Sequence, residues 1–309
     1  MRYDKASEEP GVQMSNREYE DWKLRFKDAQ SLMISGAHET ACSSYLDALR
    51  IAETGCVSST ELADTLEGLA ATKMRADSAA VVGDLLDRAE TARQHALDET
   101  IVAFGDDDLE TAKAYYKFAF HNIIRRRRAI AISYFEKTLS VKQFVFGELH
   151  FEVANTLMIM GGTHPEEPEK TKLWQRACTI LQHLLNHPDE CDADFAKHVP
   201  RSLRGCLENL ATQAFREHRI ADAEKYFRRA LATCTVTDSK QSCSLCNAPT
   251  FGKVLLATQN YGECETFLTD AITNGGDFTK RTCSEVLADL YDETDRPNKA
   301  KALRDDLKH

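Results

Sequence analysis

The chain has 309 residues, of which 42% are hydrophobic, and its 39 Lys and Arg against 49 Asp and Glu give a net charge of −10. This apolar fraction is enough to bury a core, and the acidic balance argues against a general nucleic-acid binder. The 14 Gly and 7 Pro make up roughly 7% of the chain, against ~12% in ordinary proteins. Turns are therefore few, and an all-α fold is favoured over an all-β or doubly wound α/β fold.

No apolar run approaches the ~18 residues needed to cross a bilayer. Met1 to Pro10 lack the apolar run of a secretory signal, and residues 1–16 show no periodicity. The ten Cys fall well below the ~8–10% of a disulfide scaffold, which favours reduced thiols. From these features we predict a cytoplasmic protein with a mobile tail over residues 1–16 and no cofactor.

Small and large apolar residues recur in paired segments of helix length. Within each segment they follow the i, i+3, i+4, i+7 spacing of one helical face. In chain order the residues that carry the pattern are Ala29 and Leu32 with Ala41, Tyr45, Ala48 and Leu49; Leu66, Leu69 and Ala70 with Val82, Leu86 and Ala89; Tyr115, Phe118 and Ala119 with Ala131, Phe135 and Thr138; Leu157, Met160 and Gly161 with Trp174 and Ala177; Leu207, Leu210 and Ala211 with Ala223, Phe227 and Ala230; Phe251, Gly252 and Leu255 with Cys264, Leu268 and Ala271; and Leu287, Ala288 and Tyr291 with Ala300 and Leu307. The repeat starts then fall at 22, 63, 112, 154, 204, 245 and 281, and about seven helix pairs are predicted.

Local signals agree with these boundaries. Residues 58–61, Ser-Ser-Thr-Glu, form a capping box before Leu62, and the acidic run 106–108 suits a helix N-terminus. Gly275 can end a helix, and Pro297 suits the first turn of the next one. His150 lies directly before a first helix, where we expect it to cap or pack that helix rather than to act as a base.

The small and large residue pattern resembles that of the tetratricopeptide-repeat (TPR) superfamily. The repeat steps mostly exceed ~34 residues, as in the repeats of kinesin light chains. Residues 147–154, Gly-Glu-Leu-His-Phe-Glu-Val-Ala, are similar to the Gly-x-x-His-Pro-x-Val-Ala linker of those proteins, with Phe151 in place of Pro and Asp108 in place of the His in the preceding copy.

The resemblance implies an all-α, right-handed superhelical solenoid over residues 17–309, in which the first helix of each pair lines a concave groove. Residues on these helices next to the core motif become candidates for binding a partner. They are Phe26, Gln30, Met33, Glu67, Met74, Tyr116, Phe120, Ile123, Glu208, Thr212, Arg216 and Lys253. Phe26, Tyr116 and Phe120 either form apolar pockets for a peptide or pack against adjacent repeats.

The predicted function is a non-catalytic scaffold or adaptor that binds a peptide or partner protein. The alternative is a regulatory sensor whose superhelix changes pitch when a peptide binds. The basic and Asn clamp of chaperone-binding relatives is absent, since Phe26, Glu67, Tyr116 and Glu208 occupy the corresponding positions. No phosphate loop, dinucleotide-binding turn or nucleophile elbow is present, so an enzyme is not predicted.

Three further features of the sequence bear on a possible function. Residues 125–128, four consecutive Arg, either dock an acidic group or form a solvated helix end. Cys243 and Cys246, with Cys234 upstream, have zinc-ligand spacing but lack a second ligand pair, which favours packed or surface thiols. His164, His183, His187 and His198 are interpreted as loop and surface groups.

Overall fold

A computed structural model describes residues 10–74, 79–234 and 247–307 of the chain, with side chains from residue 16 onward except that of Cys234. In these residues it has fifteen α-helices and no strand, so the all-α prediction is confirmed. None of these helices is both long and apolar enough to span a membrane. The chain divides into two compact units, residues 1–141 and 142–309.

The first unit consists of helix pairs in which each helix packs against the next one along the chain. The pairs are α1 (Pro10–Ser35) with α2 (His38–Ile51), α3 (Ser59–Lys73) with α4 (Ala79–Phe104), and α5 (Leu109–Ile124) with α6 (Arg128–Phe146), whose last residues belong to the second unit. Residues 10–16, predicted as part of a tail, are the first turns of α1. Residues 1–9 lie outside the described residues, so their predicted mobility stays a prediction.

The second unit continues the same arrangement. Its helices are α7 (Phe151–Thr163), α8 (Glu167–Asn186), the short α9 (Ala193–Ala196), α10 (Val199–Arg216), α11 (Ile220–Cys234), α12 (Ala248–Ala257), α13 (Tyr261–Asn274), α14 (Asp277–Glu293) and α15 (Pro297–Asp306). We call α7, α10, α12 and α14 first helices and α8, α11, α13 and α15 second helices. In the first unit α1, α3 and α5 are first helices, and α2, α4 and α6 are second helices. Each first helix here also contacts the first helix of the next pair.

A recurring turn agrees with the predicted repeat register at five of the seven predicted starts. Gly36, Arg126, His218, Gln259 and Asp295 all have a left-handed φ, between 56° and 82°. Each lies at the same distance from its predicted repeat start, at 22, 112, 204, 245 or 281. In each turn the amide after the left-handed residue returns to a carbonyl in the last turn of the first helix, as Arg127 does to Asn122 at 2.8 Å.

Close contact between the two helices of a pair explains the small residues of the pattern. A Cβ added at Gly161 would lie 2.4 Å from the Trp174 ring, and one at Gly252 would lie 2.6 Å from Leu268. The large second-helix residues Phe135 and Phe227 are fully buried. The pattern is therefore one of packing between paired helices.

The predicted caps form as expected. Ser58 and Glu61 make a complete capping box at α3. The side chains of Asp108 and His150 each accept a hydrogen bond from an amide in the first turn of the helix that follows, at 2.8 Å and 3.2 Å. The chain thus caps α5 and α7 with different residues at equivalent places, as the sequence predicts for His150.

Candidate functional site

A groove of about 330 Å³ lies between the first helices α12 and α14 of the second unit. Its walls come from successive repeats, so it is part of the surface that the sequence assigns to a partner. The residues that line it are Asn247, Pro249, Thr250, Lys253, Phe278, Thr282, Glu285, Val286 and Asp289. Of the twelve predicted site residues, only Lys253 lies in this groove.

The groove combines an exposed aromatic ring with charges of both signs. Phe278 leaves 80% of its surface exposed, whereas Val286 is buried. Lys253 is exposed on α12, and Glu285 and Asp289 are exposed on α14. Asp289 is partly neutralised by Arg304, whose Nη2 lies 3.1 Å from its Oδ1. The site can therefore bury an apolar side chain beside charged ones.

Glu208 positions the start of α12 instead of facing this groove. Its carboxylate is buried, and Oε2 accepts a hydrogen bond from the Asn247 backbone amide at 3.0 Å. A negative charge at a helix N-terminus is stabilised by the unpaired amides there. Glu208, predicted to bind a partner, is thus engaged within the fold because it reaches the next repeat.

The other two predicted residues of α10 differ in exposure. The Thr212 hydroxyl is buried and has no hydrogen-bond partner among the described residues. Arg216 is exposed in the last turn of α10, next to the helix C-terminus. Only Arg216 of this pair is accessible to a partner without rearrangement.

In α1, Phe26 belongs to the core of the first unit. Its ring stacks on Trp22 with centroids 5.2 Å apart and meets Tyr45 edge-on at 5.8 Å. Met33 packs partly buried against the same cluster, whereas Gln30 is exposed. The packing interpretation therefore holds for Phe26, because α1 buries a second stripe against α2 and α3.

Glu67 lies inside a charged cluster between α3, α4 and α5. Its carboxylate lies 2.7 Å from Arg93 Nη2 and 2.9 Å from His121 Nδ1, and both partners are buried. Burial opposes ionisation of Glu67, but the hydrogen bonds from His121 and Arg93 outweigh it and lower the pKa of this carboxyl below its ordinary value. Its charge is already satisfied within the fold.

The aromatic residues of α5 pack against the second helix of their own pair. Tyr116 and Phe120 lie 4.9 Å apart, and each meets the Phe135 ring at 5.6 Å. Phe120 keeps 37% of its surface exposed, and Met74, which directly follows α3, keeps 47%. Ile123 is partly buried. Phe120 and Met74 are therefore the most accessible predicted apolar residues of the first unit.

Two residues of the run of four Arg form ion pairs within the first unit. Arg125 Nη1 lies 2.5 Å from Asp87, and Arg127 Nη1 lies 2.6 Å from Glu90, both carboxylates being on α4. These pairings follow from the contact of α4 with α5, which the sequence analysis did not consider. Two of the four cations are thus neutralised by the neighbouring helix.

The candidate zinc ligands Cys243 and Cys246 lie outside the described residues. Within the described ranges, no group of three or more His, Cys, Asp or Glu has the arrangement of a metal site. His183 pairs with Glu190 at 2.7 Å on the surface of the second unit.

No protein-family model matches the chain, and no curated protein matches it significantly. Solved structures do match it. The apo form of RapI has a TM-score of 0.51 at 15% identity, over 91% of this chain and 94% of that one. Aspartyl phosphate phosphatase F from Bacillus subtilis has a TM-score of 0.51 at 12% identity, over 96% and 72%. The kinesin light chain TPR-like repeats of Podosopora anserina have a TM-score of 0.46 at 11% identity, over 72% and 96%.

The chain has the tetratricopeptide-repeat fold. This likeness is one of fold, because the identities are low, and the number of TPR pairs and their handedness stay predictions. Within the TPR register, the exposed Phe278 follows Gly275 and Gly276 at the start of α14. Phe278 is not among the residues predicted from the sequence, because it precedes the apolar motif of that helix.

Proposed function

We propose that the chain is a non-catalytic scaffold that binds a peptide or a segment of a partner protein along its first helices. In the second unit the binding site is the groove between α12 and α14. The observation that carries this proposal is the exposure of Phe278 beside Lys253 in a groove between successive repeats.

An aromatic anchor of this kind supplies most of the affinity. A buried Phe removes roughly 150–250 Å² from water, and a few such contacts dominate typical interfaces. Lys253 and the carboxylates of α14 then select the partner and tune the association rate. The predicted residues Arg216, Met74 and Phe120 extend the proposal to other exposed positions on first helices.

A peptide selected from a random display library on the full chain provides the test. We expect Phe278→Ala to weaken binding of that peptide about tenfold by fluorescence anisotropy, since it removes the apolar anchor. Phe144→Ala is the matched control, because Phe144 lies on α6 away from the groove and is 85% exposed. Equal effects of the two substitutions would contradict the assignment of the groove.

The alternative function, a peptide-responsive sensor, makes a different prediction for the same complex. X-ray scattering should show an unchanged radius of gyration for a passive scaffold. A change on peptide binding would favour the sensor.

A further inference from the structure

A second cleft, of about 390 Å³, lies in the second unit, outside the α12–α14 groove, and most of its lining residues are on second helices. It forms where α8 of one pair meets α10 and α11 of the next. Its lining residues are Gln175, Cys178, Thr179, Gln182, Leu210, Tyr226 and Arg229. No residue is shared with the groove described above.

The first unit contains the equivalent cleft, of about 460 Å³, where α4 meets α5. The residues that line it are Glu90, Thr91, Gln94, His95, Asp98 and Phe118. Thr91 and Gln94 come after the buried Ala89 on α4. Thr179 and Gln182 come after the buried Ala177 on α8 at the same spacing. Phe118 and Leu210 likewise precede the fully buried Ala119 and Ala211. The two clefts therefore occupy the same place in the repeat.

The charges of the two clefts are opposite. In the first unit Glu90 and Asp98 line the cleft, whereas no carboxylate lines the cleft of the second unit. Cys178 of the second unit occupies the repeat position that Glu90 occupies in the first unit. The only charged side chain among the lining residues of the second cleft is Arg229, which makes this cleft cationic in a chain of net charge −10.

Arg229 is available to a ligand. It is exposed and has no ion-pair partner among the described residues. Its counterpart in the first unit, Lys137, instead lies over the Tyr115 ring, with Nζ 4.7 Å from the centroid.

Neutral donors surround this cation. The Tyr226 hydroxyl and the Gln175 side-chain amide line the same cleft, and Thr179 donates its hydroxyl proton to the backbone carbonyl of Gln175 at 3.0 Å. A single guanidinium makes two parallel hydrogen bonds to one carboxylate, whereas phosphate sites usually assemble several cations. Amide side chains can pair with the backbone of a bound peptide.

We propose that this cleft binds an acidic peptide segment, with a Glu or Asp carboxylate of the ligand paired to Arg229. The site lies between α8, α10 and α11 and shares no residue with the α12–α14 groove, so it goes beyond the proposed function and does not depend on it. The chain then offers a separate surface that recognises acidic partners.

The test uses the full chain and a fluorescein-labelled hexaglutamate peptide, with hexaglutamine as the neutral probe, measured by fluorescence anisotropy at low salt. We expect hexaglutamate to bind and Arg229→Gln to weaken it about tenfold, the loss of a charged hydrogen-bonded pair. Arg228→Gln is the matched control, because it removes the same charge from the adjacent position, where Arg228 is paired with Glu224 and Glu263. It should change the affinity less than about twofold.

A second variant tests the cleft by addition of charge. Gln175→Glu places a carboxylate in the cleft and should also weaken hexaglutamate binding about tenfold, with the helical content unchanged by circular dichroism. The proposal is overturned if hexaglutamate does not bind up to about 1 mM, or if hexaglutamine binds as well. It is also overturned if Arg228→Gln or Lys253→Gln weakens binding as much as Arg229→Gln. Since Phe278→Ala tests the groove with a different peptide, either site can fail alone.

Discussion

In the first unit the helices α3, α4 and α5 meet through the buried charged residues Glu67, Arg93 and His121. In the second unit the equivalent helices α7, α8 and α10 place Met158, Leu181 and Gln213 at the same repeat positions. Leu181 is fully buried, whereas Arg93 is buried as a cation.

The comparison shows that one repeat register accepts two kinds of interface. Both units keep the small and large residues that pack the two helices of a pair together. The contacts between successive pairs can therefore differ. The acidic side chains of α4 then serve internal pairing with Arg125 and Arg127. Their counterparts on α8, Gln175 and Cys178, are neutral, so no carboxylate lines the corresponding cleft of the second unit.

The largest expected effect comes from breaking the charged cluster of the first unit. Arg93→Leu introduces the residue type of the second unit but leaves Glu67 and His121 buried without their cation, and should destabilise the first unit by about 3–5 kcal/mol. Hydrogen exchange of amides in α3, α4 and α5 measures this loss.

The matched control changes all three positions together. Arg93→Leu with Glu67→Met and His121→Gln reproduces the uncharged set of the second unit and should recover most of the stability, because no uncompensated charge remains. A triple variant as unstable as the single one would show that the two interfaces are not interchangeable.

A smaller effect is expected from the paired helices themselves. The second unit uses Gly161 against Trp174 where the first uses Ala70 and Leu86. Gly161→Ala should cost about 1–3 kcal/mol in urea unfolding, since its Cβ would lie 2.4 Å from the indole. Gly162→Ala, with no heavy atom within 4 Å of the added Cβ, should be neutral or stabilising. A similar loss of stability in both variants would indicate an effect on the backbone and not a clash with the Trp174 ring.

The smallest effect is a pH dependence confined to the first unit. Because the pKa of Glu67 is lowered in the fold, its ionised form contributes stability above its ordinary pKa of 4.5, and this contribution is lost as the pH falls through the lowered value. The uptake of one proton changes the free energy of unfolding by at most about 1.4 kcal/mol per pH unit. Urea unfolding of the original chain and of the triple variant between pH 6 and 3 measures this contribution of Glu67. Identical slopes would contradict the role of Glu67.

The repeat register could be predicted from the sequence because the packing of paired helices depends on residues close together in the chain. Phe227 and Ala211 illustrate this, since both belong to one pair. The pairing of Glu67 with Arg93 and His121 could not be predicted, because it joins three helices across two repeats. For the same reason the candidates Phe26 and Glu208 were placed on a binding surface although both are used within the fold.

The most direct test of the central claim is amide hydrogen exchange of the full chain with and without the selected peptide. The account predicts slower exchange in α12 and α14, whose facing surfaces hold Lys253 and Phe278, and no change in the last turn of α6 around Phe144. Protection confined to segments outside α12 and α14 would contradict the placement of the peptide in the groove between first helices.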